Sequence, residues 1–171
     1  MSDRPFSLKI LREWHTSIDE KARSLEELHQ DQLECRRGCS NCCVDELSVF
    51  QVEAEQIVEN CQSVLEQKPH PVGACAFLDT EGQCRIYEYR PYVCRTQGLP
   101  LRWVEEDDEE LREYRDICEL NDKEPMIETL APEECWTLGE SEGELAQMQF
   151  RAHGSEMNRL ALRDLFKDRS E

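Results

Sequence analysis

Ten cysteines are the residues of this sequence whose type and spacing point most directly to chemistry. Four of them fall within nine residues, at Cys35, Cys39, Cys42 and Cys43. Gly38 lies among them and allows the backbone to fold tightly around a ligand. Short spacings let a loop direct successive sulfur atoms at one centre while its N–H groups point at the same sulfurs. The segment therefore predicts a metal site, because a redox dithiol would need only the pair Cys39 and Cys42.

Three later cysteines, Cys75, Cys84 and Cys94, can supply the ligands that the first segment lacks. Adjacent residues of an extended chain direct their side chains oppositely, so Cys42 and Cys43 do not easily bind one small ion together. One of the two would reach a second metal, another corner of a larger cluster, or the core. The predicted ligands of a shared metal centre are Cys35, Cys39, Cys42, Cys43, Cys75, Cys84 and Cys94.

The remaining cysteines and one histidine are weaker candidates for the site. Cys61 lies on the apolar side of a predicted helix, where a free cysteine packs as a small hydrophobic residue. Cys118 and Cys135 lie in a region predicted to be irregular, and either could add a ligand. His70 precedes Cys75 by five residues and could complete a mixed nitrogen and sulfur site. The pattern leaves open whether Cys118 or His70 contributes.

Positive charge is concentrated next to the cysteine motifs. Guanidinium groups beside a thiolate-rich centre would lower the thiol pKa values and offset the negative charge of the centre. The alternative is that these arginines form surface ion pairs in a heavily acidic protein. The residues concerned are Arg36, Arg37, Arg85, Arg90 and Arg95.

The composition predicts one domain, residues 1–171, with a small core. Hydrophobic residues make up 39% and charged residues 34% of the chain, so a bound metal would help to hold the fold. The net charge of −18 disfavours binding to nucleic acid or to an anionic membrane surface, since both present phosphate groups. These two classes of partner are therefore not expected.

No segment of the sequence has the apolar character of a targeting or membrane-spanning element. The first residues lack the apolar stretch of a signal peptide, and no run approaches the roughly 18 apolar residues of a membrane helix. The protein is therefore predicted to be cytoplasmic. In a reducing compartment ten cysteines favour metal binding or thiol chemistry over a disulfide framework.

Amphipathic helices are predicted at both ends of the chain. Apolar residues recur at three- and four-residue steps over residues 6–33 and 140–167. A further helix is predicted over residues 48–66, and a short helix over 91–97 carries Cys94. The cysteine-rich loop thus follows directly on the end of a helix.

Two short hairpins complete the predicted fold. The turn at residues 80–83 would bring Cys75 near Cys84, and alternating apolar residues predict a second hairpin across the acidic run 105–110, which we interpret as a solvated turn. The prediction is a mainly helical α+β domain. Its long terminal helices pack around an irregular metal-binding core, residues 35–100.

Several motifs of this core resemble those of the CxxCxxCC, or YkgJ-type, family of zinc- or iron-chelating proteins. The resemblance covers about residues 35–100, with a weaker echo at 118–121, and it implies chelation by the matching cysteines without implying a reaction. The first gap of the cluster holds three residues where the family name has two. The matching motifs are the Cys42-Cys43 pair, Cys75-Ala76-Phe77-Leu78-Asp79, Gly82-Gln83-Cys84, and Ile86-Tyr87-Glu88-Tyr89-Arg90-Pro91-Tyr92-Val93-Cys94-Arg95.

The predicted function is binding of a metal centre through clustered thiolates. The centre would be Zn²⁺ or iron, including a 4Fe-4S cluster, because all-sulfur ligation suits each of them. The chain would act as a metal-binding protein or as a module accessory to a protein partner. Two alternatives stay open at this point: an iron–sulfur-dependent redox or group-transfer enzyme, and a metal-free thiol oxidoreductase.

Overall fold

The structure, a computed structural model of the chain, describes residues 6–36, 38–107 and 110–166. Helices and small sheets follow one another along the chain, so the fold is of the mixed α+β class that the sequence predicts. Four residues that belong to predicted features lie outside the described ranges: Arg37, Asp108, Glu109 and Lys167.

The elements, in chain order within each type, are short apart from the first and last helices. The α-helices are α1 (Leu8–Leu28), α2 (Gln51–Asn60), α3 (Gln62–Leu65), α4 (Tyr92–Arg95) and α5 (Glu140–His153). The strands are β1 (Ser48–Phe50), β2 (Leu101–Asp107), β3 (Glu110–Asp116), β4 (Trp136–Thr137) and β5 (Arg159–Ala161). Single turns of 3-10 helix span Tyr87–Tyr89, Glu119–Asn121, Ile127–Thr129, Pro132–Glu134 and Leu162–Phe166.

Helix α1 occupies most of the region in which the first helix is predicted, but it ends at Leu28 rather than at residue 33. The Ser7 side chain caps its first turn by accepting the N–H of Lys9. After the helix, the N–H groups of Gln32 and Leu33 both donate to the carbonyl of His29 and form a turn. The cysteine-rich loop begins directly after this turn. The predicted loop at the end of this helix is therefore present.

The prediction of one helix over residues 48–66 is wrong at both its start and its middle. Residues Ser48–Phe50 form strand β1, because their backbone pairs antiparallel with Arg159–Ala161 of β5. Helix α2 then begins at Gln51, and a break at Cys61 separates it from α3. Pairing with a distant strand thus overrides the local pattern that predicts a helix from residue 48.

The predicted last helix, residues 140–167, is also too long. Helix α5 ends at His153 because Gly154 adopts a positive φ of 64°, a left-handed conformation that ends helices. The chain after it forms β5 and a 3-10 turn at Leu162–Phe166. The C-terminal segment therefore returns to the middle of the chain instead of extending a helix.

The second predicted hairpin is confirmed and is the longest sheet element. Strands β2 and β3 pair antiparallel from Leu101 opposite Asp116 onward, and β4 pairs parallel to β2 at its base. Trp103 and Tyr114 stack across the hairpin with ring centroids 5.6 Å apart. Such cross-strand aromatic pairs stabilise an antiparallel pair that is otherwise exposed and charged.

Two clusters of buried apolar side chains position the cysteine-bearing segments. One joins α1, α2, α4 and α5, and it includes Tyr92, two residues before Cys94. The other joins α2 to the C-terminal segment and includes Cys75 and the fully buried Phe77. Among the described residues, no helix combines the length and apolar character needed to cross a membrane.

Candidate metal centre

The first cysteine segment is folded by consecutive tight turns. The N–H of Cys39 donates to the carbonyl of Arg36, and the N–H of Cys43 donates to the carbonyl of Ser40, both at 2.9 Å. Gly38 adopts a φ of +87°, which a residue with a side chain would adopt only with strain. These turns keep four thiols within a compact loop.

The second segment is fastened directly to the first. The N–H of Cys75 donates to the carbonyl of Cys43 at 2.9 Å, and Leu78 and Cys84 form an antiparallel bridge around the turn at Gly82. The predicted hairpin is thus reduced to a single bridge, although the turn lies where it was expected. The backbone brings two stretches that are more than thirty residues apart into contact.

Cys94 is presented by the one-turn helix α4. Pro91 precedes the helix, and its carbonyl accepts the N–H of Cys94 at 3.0 Å. The N–H of Tyr92 donates to the carboxylate of Glu53 at 2.7 Å, which anchors the start of α4 on helix α2. The position of Cys94 is therefore set by buried residues of both helices.

Electrostatic interactions link five thiols into one network, in which Cys94 interacts with each of the other four: Cys42, Cys43, Cys75 and Cys84. Burial raises the pKa of Cys94, and the neighbouring thiols Cys75, Cys84 and Cys42 raise it further. Burial is also the main cause of the raised pKa values of Cys75 and Cys84. We call these five residues the first thiol group.

Within the first thiol group, the adjacent residues Cys42 and Cys43 have pKa values that are shifted in opposite directions. A hydrogen bond from Cys43 lowers the pKa of Cys42 to about 6, and the same contact together with burial raises the pKa of Cys43. The first proton therefore leaves this pair more easily than it leaves an isolated thiol, and the second leaves with more difficulty. Contrary to the expectation that side chains of neighbours diverge, these two interact.

A second thiol group consists of Cys35, Cys39 and Cys118. Burial is the main cause of a raised pKa at Cys35, and the charges of Cys39 and Cys118 raise it further. The side-chain amide of Asn121 donates to the sulfur of Cys35 at 3.4 Å and to the carbonyl of Gly98 at 2.8 Å. Cys118, which the sequence left undecided, is thus placed next to the first predicted ligand.

Asn121 holds the second thiol group together, and sequence reasoning did not identify it. Its side chain is fully buried, and its amide oxygen accepts the N–H of Glu34 at 2.7 Å. The side chain of Gln32 donates to the Asn121 carbonyl at 3.0 Å. This network joins the residues around Cys35 to those around Cys118. The only sequence signal for it was the weak family echo at 118–121.

Arg163 performs a similar role for the first thiol group from the C-terminal segment. It pairs with Asp45, two residues after Cys43, and donates to the carbonyls of His70 at 2.7 Å and Ala74 at 2.9 Å. The Asp45 carboxylate also accepts the N–H of Gly73 at 3.0 Å. The guanidinium therefore clamps the two loops that lead out of Cys43 and into Cys75.

The arginines predicted to serve the site divide between the two interpretations. Burial raises the pKa values of Cys75 and Cys84, and nearby positive charge offsets part of this effect: Arg90 and Arg85 act on Cys84, and Arg85 also acts on Cys75. Arg36 instead forms an exposed ion pair with Glu34. Arg95 pairs with Asp19 of α1 at 2.5 Å, although it directly follows Cys94.

Three candidate ligands have other surroundings. Cys61 is buried at the end of α2, as expected for a packing residue, although the charge of Cys84 reaches it. Cys135 lies in a separate small apolar cluster. The N–H of His70 donates to the carbonyl of Ala76, and its own carbonyl accepts from Arg163.

The donor atoms suit zinc or iron, but they do not surround an ion in this arrangement. All ten cysteines are free, and thiolate sulfur is the ligand preferred by zinc and by iron–sulfur clusters. Within residues 6–36, 38–107 and 110–166, no group of three or more histidine, cysteine, aspartate or glutamate side chains is placed so that it could hold a metal ion. The sulfur atoms would have to move closer together before they could surround a metal ion.

Comparison with known proteins assigns the family. The model of the CxxCxxCC family, described as a domain proposed to chelate zinc or iron, matches residues 34–119, about half of the chain. The chain belongs to this family. No curated protein and no solved structure matches it.

Membership of the CxxCxxCC family supports metal binding in general. All eight cysteines of the two thiol groups lie within the matched segment, whereas Cys135 lies outside it. Asn121 and Arg163, which hold the two groups, lie beyond its carboxyl-terminal boundary. The family segment thus contains the donors, and the rest of the chain contributes to their positions.

Proposed function

We propose that the chain binds zinc or iron through thiolates of the two thiol groups, and that it acts as a metal-binding protein or as a metal-binding module of a larger assembly. The observation that carries the proposal is the contact between the two cysteine stretches, in which the N–H of Cys75 donates to the carbonyl of Cys43 at 2.9 Å. This contact holds close together two cysteine stretches that are more than thirty residues apart in the sequence, as a shared ion would require.

The number of thiols favours more than one zinc ion. A structural zinc site takes four ligands, and the two groups together offer eight sulfur atoms. Two metal ions or one iron–sulfur cluster with supporting thiols would use this number better. Cys42 is exposed and hydrogen-bonds with Cys43, and its charge acts on Cys35 of the second group as well as on Cys94 of the first.

Binding would require the thiols to converge. The ligands lie on turns and on a one-turn helix, where small changes of side-chain and loop conformation cost little compared with movement of a core helix. Metal binding also requires deprotonated sulfur, so ion binding and closure of the loops would be coupled. The free energy of binding would then appear as stability of this part of the fold.

Elemental analysis of anaerobically purified protein tests the proposal. We expect zinc or iron in the wild-type chain, with visible absorbance if iron–sulfur bonds are present. Replacement Cys94→Ser should remove at least half of the metal, because this half-buried residue interacts with the other four thiols of the first group. Cys135→Ser serves as the control, since this buried cysteine lies outside both groups.

Three results would contradict the proposal. Metal-free wild-type protein with full thermal stability would favour a thiol oxidoreductase, as would reversible formation of a disulfide by Cys42. Equal metal content in the Cys94→Ser and Cys135→Ser variants would show that the first thiol group is not the ligand set. Loss of thermal stability on chelation, by contrast, would support a structural metal.

A further inference from the structure

The first thiol group has one sulfur more than a four-ligand metal site uses, and the second has one fewer. Structural zinc takes four ligands in a tetrahedron, and an all-cysteine site for it uses four thiolates. One thiol counted with the second group instead of the first would therefore complete two sets of four. Such a thiol must lie between the two groups, and Cys42 meets this condition.

Cys42 and its neighbour Cys43 have different surroundings. The side chain of Cys43 is partly buried and packs against the apolar cluster that contains the buried Cys75, and Cys84 packs against the same cluster. Cys42, by contrast, is exposed. The backbone contact from Cys75 to Cys43 holds Cys43 next to this cluster. Of the two adjacent thiols, Cys43 is therefore the one that belongs with Cys75 and Cys84.

Cys42 is instead placed with the loop thiols of the second group. It follows Cys39 by three residues, and Cys39 follows Cys35 by four, which are the short spacings of ligands that bind one ion. Burial is the main cause of the raised pKa of Cys35, and the charge of Cys42 raises it as well. Asn121 brings Cys118 to these thiols, because its N–H donates to the Cys118 carbonyl at 2.7 Å and its side-chain amide donates to the Cys35 sulfur at 3.4 Å.

We propose that the eight thiols form two separate centres, each with four thiolates around one zinc or iron ion, and that the adjacent residues Cys42 and Cys43 bind to different centres. The inner centre consists of Cys43, Cys75, Cys84 and Cys94. The outer centre consists of Cys35, Cys39, Cys42 and Cys118. The inference rests on the proposed function and deepens it, because it assigns each ligand to one ion. The hydrogen bond between Cys42 and Cys43 is lost when both thiols are deprotonated and turn to their own ions.

The two centres differ in exposure, so they differ in how fast they exchange metal. In the outer centre, Cys35 and Cys42 are exposed. In the inner centre, Cys75 is buried and the loop before it is clamped by Arg163. A chelator or an incoming thiolate reaches exposed sulfur directly, whereas it reaches buried sulfur only after local opening of the fold. The outer centre is therefore the exchangeable one, and the inner centre is the stable one.

The adjacent cysteines supply a matched pair of variants. In anaerobically purified Cys42→Ser, the thiols of Cys35 and Cys118 should be alkylated by iodoacetamide at least tenfold faster than in the wild type, while Cys84 keeps its wild-type rate. In Cys43→Ser the order should reverse, with faster alkylation of Cys84 and unchanged rates at Cys35 and Cys118. Peptide mass analysis identifies each modified thiol.

Metal content and metal release give a second measurement, with variants at half-buried positions that do not disturb the Cys42 and Cys43 pair. The wild type and the control Cys135→Ser should hold two metal ions per chain, and Cys84→Ser and Cys118→Ser should each hold one. With EDTA, the wild type should release its metal in two phases of equal size whose rates differ at least tenfold. Cys118→Ser should lack the fast phase.

Three results would overturn the division into two centres while leaving metal binding intact. They are one metal ion per chain in the wild type, release of all metal in a single phase, and equal acceleration of alkylation at Cys35 and Cys84 in Cys42→Ser. Metal-free wild-type protein, by contrast, would contradict the proposed function, and the division would fall with it. The two failures are therefore distinguishable.

Discussion

The two thiol groups contain the same kind of donor but are held in different ways. The first group is fastened at several places: the backbone contact of Cys75 with Cys43, the bridge at Cys84, and the clamp of Arg163. The second group depends on one fully buried side chain, Asn121. A single substitution should therefore disrupt the second group, whereas the first should weaken in steps as its contacts are removed one by one.

Removal of the Asn121 side chain should have the largest effect. Asn121→Ala leaves the N–H of Glu34 and the carbonyl of Gly98 without their partners and opens a cavity. We expect a loss of about 3 kcal/mol in the free energy of unfolding, measured by urea denaturation. Asn158→Ala is the control, because that side chain is exposed and should change stability by less than about 0.5 kcal/mol.

The same variant distinguishes the two groups chemically. Cys35 should react faster with a thiol alkylating reagent in Asn121→Ala, because its sulfur loses the amide that holds it in place. Reaction of Cys75, measured by peptide mass, should stay slow. Equal acceleration at Cys35 and Cys75 would mean that the two groups are not held independently.

Removal of the Arg163 clamp should have the next largest effect. Arg163→Gln breaks the ion pair with Asp45 and at least two hydrogen bonds to loop carbonyls, at a partly buried site. We expect a loss of about 2 kcal/mol in unfolding free energy and a faster release of metal to a chelator. Arg151→Gln, at an exposed position of α5, should change neither quantity.

The rate of metal release from Arg163→Gln and its metal content at equilibrium should differ in their response. Because other contacts still hold the first group, the variant should retain bound metal at equilibrium while exchanging it faster. Complete loss of metal would show that the first group, like the second, depends on one residue.

A substitution at Gly98 tests how closely the second group is packed. A Cβ atom at this position would lie 2.3 Å from the sulfur of Cys35, and the φ of +89° disfavours any side chain. Gly98→Ala should therefore cost about 1 kcal/mol from the backbone and also displace the Cys35 thiol. Metal content and urea denaturation measure the two effects.

Gly73→Ala supplies the matched control. Gly73 has a φ of +112° and no atom within 4 Å of an added Cβ, so it isolates the backbone cost. We expect a larger loss of stability in Gly98→Ala than in Gly73→Ala, because only the former adds a clash to the backbone cost, and loss of metal only from Gly98→Ala. Equal metal content in the two variants would contradict the close packing of Cys35 in a metal-bound state.

Long periodic patterns were the part of the fold that the sequence could predict. Helix α1 and the hairpin of β2 and β3 are encoded by local spacing of apolar residues, and both lie near their predicted positions. Strand β1 could not be predicted, because three residues give little local signal and its pairing partner lies more than a hundred residues away. Helix α5 ends where Gly154 adopts a positive φ, a conformation that apolar spacing does not reveal.

The candidate site shows the same division between local and distant information. Cysteine spacing identified the donors, since the thiols of a metal loop are concentrated in sequence. Asn121 and Arg163 are single polar residues far from the cysteines that they hold, and only burial and hydrogen bonding reveal their part. Cys118 could not be assigned from spacing because Asn121 brings it to Cys35.

The smallest expected effect is a pH dependence of the clamp on the first thiol group. Hydrogen bonds from Gly73 and Arg163 lower the pKa of Asp45 below its usual value near 3.8. A lowered pKa in the folded state means that the unfolded chain binds the proton more readily, so the stabilisation is present above about pH 4 and is lost as the pH falls through the folded value. The stability difference between the wild type and Asp45→Asn should therefore shrink below pH 4.

Asp116→Asn, at an exposed position of β3, serves as the comparison. A difference between wild type and Asp45→Asn that stays constant from pH 7 to pH 3 would mean that ionised Asp45 adds nothing to the hold on the loops around Cys43 and Cys75.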